Sequence, residues 1–281
     1  MRLQKEKALR LAQLFPCRLG ATLLLVVLSP MSPWAHDSLI TSNVIHRTFH
    51  IGWGDSTGTA FAIDHASKQY LVTARHVVEG IESGKAINLF HGGKWKNLTV
   101  DVVGIGRGEV DVAVLACSIR LSPSHPLVAS GENLVYGQSV CFLGYPFGWD
   151  SGNEQTNRGI PLPFVKTGVV SAFKGVDVTK IYLDAHGNKG FSGGPVVFVP
   201  NGHPRNDWYV TGIISYYPQP RPSWQPVVDR KGTPFTGPAD EPIGYVQENP
   251  GIVVAIDIRH AVELIDANPI GFQLPADKDG S

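Results

Sequence analysis

Cysteine is scarce in this chain, with three residues in 281. Cys17 falls in the N-terminal stretch, so only Cys117 and Cys141 belong to the body of the protein. Both sit in apolar, strand-like runs, where two buried thiols and a disulfide are both open readings. No CxxC pair and no His/Cys spacing of zinc type occurs, so no metal or cofactor is expected. Net charge is absent as well: 24 Lys and Arg balance 24 Asp and Glu, and no run of like charge appears beyond the N-terminus. That excludes nucleic acid and other polyanions as partners. Long apolar runs are also missing. The stretch 21–28 is the candidate, and it falls short of the roughly 20 residues that span a bilayer.

What is present points to export and to β-structure. Arg2, Lys5, Lys7, Arg10 and Arg18 precede that apolar stretch, and the small residues Ser29, Ser32 and Ala35 follow it. This order is that of a signal peptide over residues 1–35, or of an uncleaved N-terminal anchor, which is the only route to a membrane. The expected location is the periplasm or the outside of the cell. A hydrophobic fraction of 43% supplies a core, while 31 Gly and 21 Pro break the chain into short runs. Candidate strands recur at 58–63, 69–74, 86–90, 98–105, 111–117, 137–143, 166–173, 179–184, 194–200, 208–215 and 252–257. Short strands at such regular spacing predict a sandwich or barrels. One helix is expected, capped by Asp257 and stopped at Asn268-Pro269. The polar stretch 122–133 reads as a link between two halves, and 218–250 as a proline-rich insertion.

Three segments carry chemistry. The run ending Thr73-Ala74-Arg75-His76 supplies a histidine, Asp111 opens the run 111–115, and Gly190-Phe191-Ser192-Gly193-Gly194-Pro195 surrounds a serine with glycine. Taken singly, Ser192 is a turn serine, His76 a packed strand-end histidine and Asp111 a cap. Together, in the order His, Asp, Ser, they match the needs of a nucleophile, its base and the base's orienting carboxylate. The N–H groups of Gly190 and Ser192 would stabilise charge on an attacked carbonyl. His46 and His50, four apart, lie in extended surroundings and do not read as a metal pair.

With these motifs the chain resembles the trypsin-like serine peptidases, especially the bacterial HtrA-like branch, from about Thr57 to Leu264. The segments 56–61, 144–148, 166–171, 212–215 and 251–256 fit that pattern beside the three above. The resemblance implies an all-β fold of two six-stranded antiparallel barrels of chymotrypsin type with a C-terminal helix. The barrels would span 44–125 and 126–268, with a tail at 269–281. It implies a serine endopeptidase acting on proteins or peptides through an acyl-enzyme, with His76, Asp111 and Ser192 catalytic. It also implies a substrate pocket near His186, Ser215, Tyr216 and Tyr217. Two departures stand out: Phe191 occupies a place usually held by Asp or Asn, and no PDZ-like segment is expected after Leu264. Two alternatives stay open. One is a silent or latent scaffold of the same fold used for binding or regulation. The other is an α/β-hydrolase esterase, since Gly190–Gly194 also fits G-x-S-x-G with Asp257 and His260 downstream.

Overall fold

The computed structural model describes residues 39–122, 127–150, 152, 157–175, 180–216, 224–238, 245–247, 249 and 251–275. The expected leader, Tyr217 and part of the proline-rich insertion lie outside these residues. After a helical turn, α1 (Ser42–Ile45), come β1 (Thr48–Trp53), β2 (Ser56–His65), β3 (Lys68–Thr73), β4 (Lys85–Phe90), β5 (Trp95–Ile105) and β6 (Ala113–Cys117). Neighbours pair in the order β3-β2-β1-β4-β5-β6, and β6 returns to β3, closing a six-stranded antiparallel barrel.

The chain continues through β7 (Val128–Ala129), β8 (Ser139–Gly144), β9 (Phe164–Lys174), β10 (Lys180–Asp184), β11 (Pro195–Phe198) and β12 (Tyr209–Tyr216). A separate pair, β13 (Trp224–Pro226) and β14 (Tyr245–Gln247), lies within the proline-rich region. Then follow β15 (Ile252–Asp257), α2 (Arg259–Ala267) and β16 (Phe272–Gln273). The order β11-β8-β9-β10-β15-β12, closed by β11 on β12, makes a second six-stranded antiparallel barrel. β7 adds to its edge in parallel, and β16 adds to β3 of the first barrel.

Burial explains why several strands read as unbroken apolar runs. Alternate side chains of a strand point to opposite faces. In β2 and β3, Ala60, Ala62 and Leu71 fill the first barrel, while Phe61, Ile63 and Val72 join a second cluster outside it. That outer cluster also takes Leu143 and Val197 from the second barrel and Ile265 from α2, so the two barrels and the helix share one core. A third cluster, containing Val140, Phe142 and Phe191, fills the second barrel. α2 begins where expected: the Asp257 carboxylate accepts the Arg259 N–H at 2.9 Å, and Asn268 Nδ2 donates to the Val103 carbonyl at 2.9 Å beside the stop. Pro195 opens a strand, not a helix, which removes the α/β-hydrolase reading because its elbow requires a helix after the serine. Cys117 and Cys141 lie one in each barrel and form no disulfide with each other. Among the described residues, no helix is long and apolar enough to cross a membrane.

Candidate active site

His76 lies in the single turn Arg75–Val78 that follows β3, and Asp111 lies just ahead of β6. Because β3 and β6 pair directly, the two residues start from neighbouring strand ends. Arg75 fixes their connection: its guanidinium donates to the carbonyls of Gly106 and Gly108 at 2.9 and 3.0 Å, holding the loop that leads to Asp111. The imidazole then meets the carboxylate, with His76 Nδ1 2.7 Å from Asp111 Oδ2 and the His76 N–H donating to Oδ1 at 3.0 Å. The Ser215 hydroxyl donates to the same Oδ2 at 2.6 Å. Burial alone raises the Asp111 pKa. Hydrogen bonds from His76 and Ser215, with the histidine's charge, outweigh it, so the net direction is below the ordinary value of 3.8.

Ser192 comes from the second barrel, in the turn before β11. The backbone bonds that hold that turn include Thr59 N–H to Ser192 O at 2.8 Å, Gly193 N–H to Ile214 O at 2.7 Å, and Ile214 N–H to Gly194 O at 2.8 Å. Gly193 has φ +84° and lies so close to the Thr59 carbonyl that a Cβ has no room. Gly190 needs glycine as well, with φ +99° and the Tyr145 carbonyl where a side chain would stand. The Ser192 hydroxyl donates to the Ser215 carbonyl at 3.2 Å; among the described residues no hydrogen bond joins it to His76. Also among the described residues, neither the Gly190 nor the Ser192 N–H has an acceptor.

The orientation of the Gly190 N–H follows from its neighbour. The Lys189 carbonyl accepts the Phe147 N–H at 2.8 Å, and no peptide here is cis. Across a trans peptide the next N–H points the opposite way, so the Gly190 N–H is turned away from Phe147 and left unpaired. Phe191 is fully buried, its ring set edge-to-face on Phe142 at 5.1 Å. The aromatic side chain that departs from the family pattern thus anchors the turn in the core of the second barrel.

The matched family model is "Trypsin-like peptidase domain", over residues 58–203, just over half of the chain. This chain belongs to the trypsin-like peptidases. Solved structures share the fold. A variant of the HtrA-type protease AlgW with a tripeptide aligns at TM-score 0.51 and 21% identity, covering 82% of this chain and 62% of that one. The Rv3671c protease from M. tuberculosis in its active form aligns at 0.51 and 18%, covering 83% and 85%. This chain therefore spans less than two thirds of the length of that AlgW chain. A search of curated proteins finds no match.

In this trypsin-like peptidase the remaining expected site residues divide. Ser215 is buried and contacts both Asp111 and Ser192. Tyr216 ends β12, paired with Val254. His186 is exposed, and its carbonyl is the engaged atom, accepting Lys166 Nζ at 2.7 Å. His46 ends α1, and His50 is buried in β1. Among the described residues no group of three or more His, Cys, Asp or Glu could hold a metal ion. Sequence reasoning missed Thr59, whose hydroxyl donates to the Gly190 carbonyl at 2.6 Å and accepts the Tyr145 N–H at 3.3 Å. A threonine in a strand gives no signal of such a role, because its partners lie far away in the sequence.

Proposed function

We propose that this chain is a serine endopeptidase in which Ser192 is the nucleophile, His76 the general base and acid, and Asp111 the orienting carboxylate. The observation that carries the reading is the Asp111 carboxylate, which accepts the His76 ring nitrogen at 2.7 Å, the His76 N–H at 3.0 Å and the Ser215 hydroxyl at 2.6 Å. A carboxylate acceptor at Nδ1 keeps the proton there and leaves the Nε2 lone pair free to act as the base. Ser192 exchanges its hydrogen bond to the Ser215 carbonyl for one to His76 when substrate binds, since such contacts tighten in the loaded site. Its hydroxyl oxygen then attacks the peptide carbonyl while Nε2 takes the proton. The Gly190 and Ser192 N–H groups, which have no acceptor among the described residues, receive the developing oxyanion. His76 returns the proton to the leaving amine, and water repeats the sequence on the acyl-enzyme.

Substrates are proteins or peptides, their backbone lying along β12. His186, Ser215, Tyr216 and Tyr217 are the proposed pocket residues. The basic-then-apolar order of residues 2–28 supports export to the periplasm or beyond. A second reading, a latent scaffold of the same fold, is favoured by one observation: the Ser192 hydroxyl donates to the Ser215 carbonyl, not to His76. A fluorophosphonate probe separates the two. Labelling of the wild type and not of Ser192→Ala supports the peptidase. Absence of labelling in folded wild-type protein supports the latent scaffold.

A further inference from the structure

The residue ahead of Ser192 has no charge and no hydrogen-bonding side chain, so polar contacts that order the turn must come from elsewhere. Lys166, in β9, is placed to supply them. It lies directly across from Phe142, on whose ring Phe191 packs. Its ammonium donates to the His186 carbonyl at 2.7 Å and to Asn188 Oδ1 at 2.6 Å, and stands 5.3 Å from the centre of the Phe191 ring. One cation therefore meets the beginning, the middle and the end of the segment 186–191.

We propose that Lys166 is a positioning residue. It holds 186–191 in the conformation that sends the Lys189 carbonyl to Phe147 and leaves the Gly190 N–H free for an oxyanion. This rests on the serine-peptidase reading above. The physical basis is the strength of charge-assisted hydrogen bonds, joined by attraction between the ammonium and the face of an aromatic ring. The geometry also explains the pairing of residue types. A carboxylate before Ser192 would draw the ammonium off the two loop oxygens, whereas the Phe191 ring fills the core and still attracts the cation. Partial burial lowers the Lys166 pKa, consistent with an ammonium drawn partly out of water by the loop it holds.

The test uses the full chain with Lys166→Met and Lys166→Arg. Amide hydrogen exchange at Phe147, whose N–H donates to the Lys189 carbonyl, reads the turn without requiring turnover. Lys166→Met is expected to speed that exchange by about tenfold or more while β2 and β3 are unchanged, and Lys166→Arg to restore much of the protection. Binding of a tripeptidyl boronate ending in boro-valine, a mimic of the tetrahedral intermediate, is expected to weaken about 10- to 100-fold in parallel with kcat, with KM changed less than about threefold. Unchanged exchange and boronate affinity in folded Lys166→Met would overturn the proposal. Should that variant not fold, Asn188→Ala removes one acceptor without touching β9. A smaller rise in Phe147 exchange supports the clamp, and no rise counts against it. If the wild type neither labels with fluorophosphonate nor binds the boronate, the peptidase reading has failed. The exchange result then still decides whether Lys166 holds the turn.

Discussion

Acidification should loosen this protein through one buried histidine. His50 in β1 is only 5% exposed, stacked on Tyr145 at 4.9 Å and flanked by Trp95 at 4.8 Å and Phe90 at 5.8 Å. Among the described residues, neither ring nitrogen has a hydrogen-bond partner. Burial lowers its pKa from 6.5 to about 4, against the weaker opposing pull of the Asp150 carboxylate. The folded value lies below the unfolded one, so the unfolded chain takes up its proton first. Stability is therefore full above 6.5, falls as pH drops towards about 4, and levels off below that. At about 1.4 kcal/mol per pH unit the whole loss is about 3 kcal/mol. About 2 kcal/mol of it has already appeared near pH ~5, before most carboxylates titrate. That is a large share of a typical stability of ~5–15 kcal/mol. Urea unfolding near pH ~7.5 and pH ~5 should be compared between the wild type and His50→Phe, which keeps a ring and loses the titrating nitrogens. The substitution removes only the His50 imidazole, so the difference between the two proteins isolates His50. The wild type should lose about 2 kcal/mol more than the variant on acidification. Equal losses would refute the reasoning.

Phe191→Ala should cost ~3–5 kcal/mol in urea unfolding, because a fully buried ring leaves a cavity; a loss under about 1 kcal/mol would contradict its place in the core. Thr59→Val keeps the shape but leaves the Gly190 carbonyl and the Tyr145 N–H without the hydroxyl, so it should cost ~1–3 kcal/mol and lower kcat together. Ser215→Ala removes a donor from Asp111 and should raise that carboxyl's pKa, read by carboxyl-carbon NMR. A depressed carboxyl pKa contributes stability above 3.8 and loses it as pH falls through the folded value, so this variant should lose that contribution at a higher pH. Cys117, its thiol pKa pushed up to about 12 by burial, should resist iodoacetamide in the native protein and react on unfolding; rapid native alkylation would show the site to be open.

Much of the fold was legible because its strands are buried on one or both faces. In β5 the exposed and buried positions alternate from Leu98 to Val102, while β2, β3 and β6 run apolar because both of their faces are covered. The stop at Asn268-Pro269 and the cap at Asp257 marked the ends of α2 in the same local way. The short pieces β7, β13, β14 and β16 were not legible, since strands of two or three residues exist only through the neighbour they pair with, and the six-residue β1, absent from the candidate strands, was missed as well. Candidate site residues followed the same division. His76, Asp111 and Ser192 each stand in a distinctive local pattern, so their identity and order could be read along the chain. Lys166 and Thr59 stand in ordinary strands, and Ser215 was read only as a pocket residue.

The sequence by itself determined roughly where most of the longer strands run, which stretches are apolar, and which three side chains could form a nucleophilic set. These are properties of neighbouring residues, and hydrophobic period and turn chemistry act at that range. Only the tertiary structure decided that Ser215 meets Asp111 across 104 residues, that Thr59 meets Gly190 across 131, and that the Lys166 ammonium reaches the loop ahead of Ser192. Those contacts depend on barrel closure, which sets distances between residues far apart in the chain; no local pattern encodes the orientation of a carbonyl or the acceptor an ammonium will meet.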